Sequence, residues 1–519
     1  MLLRQISRIN KSVTYTLPAP LKGLNVRDSL ADMDSGFAIT MDNYIPSDTK
    51  VALRPGYVEY VSTDDAVETL AAYQRDNLLR FIAVAGDKAY KIGAKGQKTE
   101  FSDVSFTSAY CQTVQYKNYL YFVNGQDIPK VFYIDDEGVE HFTNWGFSGT
   151  GLTAASVVNV SVSKQRLWFI EKNSLRVWYP EAAGNISGTL QCFDFSQVCR
   201  FGGHLVAVAN WTQDGGQGID DFTVFITSEG EALVYAGSNV NDASDWKLRG
   251  SYKISPPLGY QCLMPYQGDV VIMTTTGYLP LGKVLPLDQA SDASLSFSDA
   301  IRGLVLERAS QNKNKKGWQS LVYTRGGYAI FNVPNANQFE QHVVNLNTGA
   351  WCRWTNIRAL CWKMFDGRLY FGSNNGVYLF DEGYSDNGMM INGVIEQAYN
   401  NLGTNSLKKI QLLNPRTKAS TRYNLVIYPN MDMNSQYVDY TETIGNAGVV
   451  KWNTVKWSNS ARPIGTKWST TGGKIMQSQW IAASSTGYKV SIVFKTKTRG
   501  NLIEWFETSI RYETGSGVL

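Results

Sequence analysis

Three histidines, His141, His204 and His342, are all that this 519-residue chain offers for imidazole chemistry, and they lie far apart. Acid–base or metal work needs such a ring beside a carboxylate, a thiol or a second ring. Each is therefore expected to be a hydrogen-bonded structural residue. Carboxylates cluster as Asp135-Asp136-Glu137, Asp220-Asp221 and Asp381-Glu382, always in turns, where Asp serves turn geometry. Glycoside hydrolysis needs two carboxylates about 5 Å or about 6.5–9.5 Å apart, and no spacing here singles out such a pair. The six cysteines, Cys111, Cys192, Cys199, Cys262, Cys352 and Cys361, include no Cys-x-x-Cys, which favours reduced thiols over a disulfide framework or a zinc site. There is no Gly-x-Ser-x-Gly elbow, no phosphate loop and no His-Glu-x-x-His. Gly215-Gly216-Gln217-Gly218 runs into a strand rather than a helix, so it presents no helix N-terminus to a phosphate. The expectation is no enzyme, no metal and no cofactor.

Basic residues are the other candidates. Lys313, Lys315 and Lys316 form one patch, Lys408 and Lys409 with Arg416, Lys418 and Arg422 another, and Lys495, Lys497 and Arg499 alternate along one strand. The plain reading is solvated faces; the sharper one is sequence-independent contact with nucleic-acid phosphates or with a partner. The balance is uneven: residues 391–519 hold 15 Lys+Arg against 7 Asp+Glu, leaving 34 against 38 before them. An acidic body thus carries a basic C-terminal part.

The elements that must hold these residues are strands. Aromatic residues make up 13% of the chain and there are 46 glycines, a bias toward short strands and tight turns. A pair of apolar runs around a turn recurs, as in Leu78–Val84 then Ala89–Ile92, Tyr119–Val123 then Lys130–Ile134, and Arg166–Ile170 then Leu175–Tyr179. It returns near residues 223–235, 269–279, 327–345 and 368–380, with Asn-Gly or Gly-Asp at several turns. Copies about 40 to 60 residues apart match the blades of a β-propeller, here about six or seven over residues 61–388. Phe297, Ile301, Leu304 and Val305 share a helical face, which predicts one inserted helix near 297–310 with Ser298 as its N-cap. Residues 1–60, broken by Pro18, Pro20, Pro46 and Pro55, read as an extended N-terminal arm. From 389 to 519 strict alternation, as at Tyr423, Leu425, Ile427 and at Val490, Ile492, Phe494, predicts an antiparallel β-sandwich-like domain. Trp452, Trp457, Trp468 and Trp505 are available to fill it or an interface. The short start Met1-Leu2-Leu3-Arg4 lacks a signal-like apolar core, giving the expectation of synthesis and assembly in a cytoplasm.

Several segments together resemble one family. Gly23-Leu24-Asn25-Val26-Arg27-Asp28 leads to Met41-Asp42-Asn43-Tyr44-Ile45-Pro46 and then Leu53-Arg54-Pro55-Gly56-Tyr57. Further on stand Asp221–Glu231, Lys283-Val284-Leu285-Pro286-Leu287, Gly317-Trp318-Gln319, Asn347–Arg353 and the ending Gly515-Ser516-Gly517-Val518-Leu519. In this order they resemble the tail nozzle, hub or stabilisation proteins of short-tailed bacteriophages (podoviruses) and related prophages, from about Gly23 to the C terminus. The resemblance implies a structural virion protein forming a homo-oligomeric, hexameric ring below the portal–adaptor. Such a ring extends the DNA channel, retains the genome until ejection and anchors tail fibres or spikes. Its partners would be the portal-adaptor protein, fibre or spike proteins and, non-specifically, genomic double-stranded DNA, with no small-molecule substrate and no catalytic residue. The alternative class is a host-surface propeller that binds or cleaves glycans. A packaged genome-ejection protein fits less well, since such proteins use long helices or membrane-active segments.

Overall fold

Leu78–Ala85 shows why this chain folds as it does: five consecutive residues, Phe81 to Ala85, are buried, which requires cover on both faces of the strand. In the computed structural model that cover comes from neighbouring sheets arranged radially. Residues 12–214, 219–284, 296–419, 423–434, 442–444 and 475–514 are described, and they divide into two units.

The first unit, Glu59–His342 with Asn356–Phe380, is a seven-bladed β-propeller. Blade 1 runs outward through Val67–Arg75, Leu78–Ala85, Lys88–Ile92 and Lys98–Ser105. Blades 2, 3 and 4 repeat this from Gln112–Tyr116, Val157–Ser163 and Leu205–Asp214. Blade 5 has three strands, Leu263–Tyr266, Asp269–Thr274 and Gly277–Pro280. Blade 6 holds Gln319–Tyr323, Tyr328–Asn335 and Gln338–Asn345, whose end, from Val343, belongs to the second unit. Blade 7 is Cys361–Phe365, Arg368–Ser373 and Gly376–Phe380, with Tyr57–Ser62 as its outermost strand. The segment just before blade 1 therefore completes blade 7, and Cys361–Phe365 packs beside Val67–Arg75 to close the ring.

The core lies between blades. Ile82 and Val84 of blade 1 meet Phe122 and Phe132 of blade 2 in one cluster, and Trp168 of blade 3 meets Phe225 of blade 4 in another. Innermost strands have no strand on their axial side, so polar side chains from neighbouring blades satisfy their backbone groups. Thr69 Oγ1 donates to the Ala109 carbonyl at 2.7 Å, and Gln319 both donates to the Trp362 carbonyl (2.9 Å) and accepts from its N–H (2.7 Å). The inserted helix is present as Arg302–Asn312 between blades 5 and 6, with Leu304, Val305 and Ala309 buried. Ser298 does not cap it. A 3₁₀ turn, Asp299–Ile301, intervenes, and the Ser298 hydroxyl instead accepts from the Tyr278 N–H at 3.0 Å.

The second unit, residues 1–58, 343–355 and 381–519, is a β-sandwich. One sheet orders Ile475–Ser478, Lys408–Ala419, Ile503–Thr514, Val51–Leu53 and Tyr44–Pro46, with Val13–Pro18 and Ile481–Gly487 joined at its sides. The facing sheet includes, in order, Trp351–Trp354, Gly23–Leu24, Phe37–Asp42, Ile391–Gln397, Val490–Thr498, Tyr423–Met431 and Glu442–Ile444. Phe494 of one sheet stacks on Trp505 of the other at 4.4 Å. Trp505 thus fills the core; Trp452, Trp457 and Trp468 lie outside the described residues.

The N-terminal segment is extended, but it is no separate arm. Its short strands pair with C-terminal ones, Val13–Pro18 running antiparallel to Tyr512–Glu507. The prolines explain the misreading. Pro18 and Pro46 end strands and Pro55 follows one, positions where a missing N–H breaks no ladder. The changes of unit near 58 and 380 lie close to the expected boundaries at 60 and 388, while 343–355 returns to the sandwich.

Candidate functional site

Some of the residues that carry the family resemblance converge, those of segments 42–56 and 353. Arg54, fully buried, places a bidentate guanidinium on Asp386 at 2.7 and 2.8 Å, donates to Asn43 Oδ1 at 2.8 Å, and reaches the carbonyls of Pro55 and Thr355. Asn43, held at φ 60°, bonds through its side-chain amide to Thr355 and to the Asn392 carbonyl. Beside it Arg353 forms a second fork with Asp42 at 2.7 and 2.8 Å. Gly56 is required by contact: a Cβ there would lie 2.1 Å from the Ser385 carbonyl oxygen. A fork between a buried Arg and a carboxylate is strong when every remaining donor is satisfied. The cluster locks segments from three parts of the chain together.

The basic patches fare unevenly. Lys313, Lys315 and Lys316 are exposed at the end of the inserted helix. Lys315 is tied to the Ala336 carbonyl, and Lys316 approaches Glu68 at 3.8 Å and the Tyr110 ring at 5.3 Å. Lys408 contradicts its assignment as a contact residue. It is fully buried, and its ammonium donates to the carbonyls of Thr404, Ser406 and Tyr488 at 2.7–2.9 Å. Desolvation lowers its pKa; it is a structural cross-link because the strand turns it inward where Lys409 points out. Arg416 pairs with Glu507 at 2.8 Å, and Arg422 lies outside the described residues, as do Gly215–Gly218 and the chain ending.

Lys495 and Lys497 share one face of the second sandwich sheet. Their strand neighbours there are Val394 and Asn392 on one side and Val426 and Asn424 on the other. Lys495 stands 5.3 Å over the Tyr428 ring, Lys497 is exposed, and Arg499 follows the strand in solvent. Glu396 and the Asp42–Arg353 pair lie on the same face, so it is mixed in charge.

His342 sits in a hydrogen-bonded network, and Asp220 and Asp221, expected in a turn, lie in the strand Ile219–Thr227. The Tyr278 hydroxyl lies 2.8 Å from His342 Nδ1, and His342 Nε2 lies 3.1 Å from Glu340, which also accepts from Arg308 at 2.8 Å and Asn335 at 3.1 Å. Burial would raise the Glu340 pKa, but the hydrogen bond and charge of His342 and the Arg308 guanidinium hold it down to about 2. This network anchors the inserted helix through Arg308. His141 bonds Asp135 at 2.7 Å, and Asp135 also accepts from the Val139 N–H, a turn clasp. His204 and Glu229 line a cavity of about 790 Å³ with Tyr260, Lys313 and Ser310; burial lowers the His204 pKa. Cys111, Cys262, Cys352 and Cys361 are buried unpaired thiols, whose pKa values burial raises.

Spacing gave no sign of the apolar side chains that the sandwich unit leaves in solvent. Met389 is 70% and Met390 57% exposed, with Met433, Met476, Trp480 and Tyr488 also exposed. Only their position after the blade rhythm ends could have suggested surface use.

No family model and no curated protein matches the chain. Among solved structures, a protein from Bacteroides fragilis, provisionally assigned as a 6-phosphogluconolactonase, aligns at TM-score 0.35 and 12% identity over 63% of this chain and 89% of its own. Virginiamycin B lyase from Staphylococcus aureus aligns at TM-score 0.29 and 13% identity over 71% of this chain and 99% of its own. At these scores neither says anything of chemistry, and the propeller follows from the strand pairing of the chain itself.

Proposed function

We propose that this chain is a non-enzymatic structural protein of a short phage tail, a nozzle or hub that assembles as a hexameric ring in the virion below the portal–adaptor. The observation that carries this reading is the Arg54 cluster. Four of the residues by which the chain resembles that family, Asn43, Arg54, Gly56 and Arg353, hold a scaffold together rather than surround a ligand. Exposed Met389, Met390, Trp480 and Tyr488 on the same unit suit a partner-facing surface. The mixed face around Lys495 and Lys497 suits weak, sliding contact with DNA, since a strongly cationic wall would hold it.

The glycan-directed alternative has one physical foothold, the 790 Å³ cavity with Glu229 and His204. Among its described lining residues Glu229 is the sole carboxylate, and hydrolysis of a glycosidic bond uses two. Electron microscopy of particles labelled with antibody against this protein separates the readings. Label in a collar beneath the portal supports the nozzle; label along fibres, with glycan-array binding by the purified chain, supports the alternative.

A further inference from the structure

Along the propeller axis the innermost strands line a half-open cavity of about 240 Å³, with residues from six of the seven blades. Its wall is polar, with Gln112, Thr113, Ser161, Gln261 and Ser320 among the lining side chains, and no Asp or Glu among the described ones. One charged side chain, Lys363 on the innermost strand of blade 7, faces into this wall. It keeps some accessible surface although desolvation lowers its pKa, as a side chain turned toward a half-open cavity does. No hydrogen bond or ion pair to a described residue accompanies it. A second polar group is equally unserved: Ser320 Oγ is buried without a hydrogen-bond partner.

A partly desolvated ammonium without a counter-charge is unfavourable, and a buried hydroxyl without a partner costs about 1–3 kcal/mol. Two other inward basic groups among the described residues are compensated, Lys408 by three carbonyls and Arg54 by Asp386. Lys363 has none of this, and the cavity has room for about eight water volumes. A species from solution that brings negative charge and accepts hydrogen bonds would satisfy both groups at once.

We propose that the axial cavity binds a small oxyanion, of phosphate or carboxylate type, with Lys363 as its counter-charge and Ser320 as a donor. This goes beyond the nozzle reading and does not depend on it. The test is calorimetric titration of the full chain with sodium phosphate and, separately, sodium acetate, in a chloride background. Saturable binding near one anion per chain is expected for at least one of them. Lys363→Met should weaken it at least about 10-fold, Ser320→Ala about 3-fold, and Lys313→Met should leave it unchanged. Thermal melts give a second readout. The wild-type melting temperature should rise with the anion, while Lys363→Met, or Lys363→Gln if the first folds poorly, should melt independently of it. Failure of both anions to bind at tens of millimolar, or undiminished binding by the Lys363 variants, would overturn the proposal.

Discussion

The two units use β-strands in opposite ways. In the propeller both faces are covered: Arg166–Glu171 and Gly376–Phe380 are buried at every residue. In the sandwich Ile391–Gln397 alternates between buried and exposed or half-exposed positions, and Ile481–Gly487 between exposed and half-exposed ones between buried ends. A strand covered on both faces can offer the outside only its ends and edges, so a propeller can act only at its rim, its loops and its axis. A strand covered on one face keeps the other for partners. The exposed Met, Trp and Tyr side chains and the Lys495–Lys497 row lie on the sandwich, where partner contacts are expected to concentrate.

The largest effects should separate the two cores. Arg54→Leu leaves Asp386 buried without its partner and should destabilise the sandwich by about 3–5 kcal/mol. Trp168→Ala removes a ring stacked 5.8 Å from Trp246 and should cost the propeller about 3–5 kcal/mol. Denaturation followed by hydrogen exchange should place each loss in its own unit; a uniform loss from either would break the comparison.

Acid should act next, and on the propeller. The folded Glu340 pKa is held near 2, below its ordinary value of 4.5. A depressed carboxyl gives stability that is full above about pH 4.5 and lost as pH falls toward 2. Glu340→Gln should remove that part of the acid dependence, read from melting temperatures between pH 5 and 2.

Smaller effects should tell structural lysines from surface ones. Lys408→Met orphans three carbonyls and should cost about 1–3 kcal/mol without changing DNA binding. Lys495→Met and Lys497→Met should cost under about 0.5 kcal/mol each but flatten the salt dependence of DNA binding by roughly one counterion per site. Fluorescence anisotropy across salt concentrations measures this; equal slopes for all variants would remove Lys495 and Lys497 from the DNA-facing surface.

The strands were legible because covered runs and alternating runs differ on the page: Phe81 to Ala85 carries no polar residue, whereas buried Tyr423 and Leu425 flank exposed Asn424. The helix was legible from Ile301, Leu304 and Val305. What spacing could not supply was partnership across the chain. Arg54 meets Asp386, and Tyr57–Ser62 completes blade 7, over hundreds of residues, and no local pattern encodes such pairings. Lys408 and Lys409 look alike in sequence, yet strand alternation buries the first and exposes the second. The axial cavity was invisible for the same reason, since Lys363 and Ser320 come from different blades and line one cavity only in the folded propeller.

Electron microscopy of the purified full chain tests the central claim most directly. The nozzle reading predicts closed rings of six subunits around an open channel, and Met389→Ser with Met390→Ser should weaken them without unfolding the monomer. Monodisperse single subunits at all concentrations, with both units folded, would contradict it.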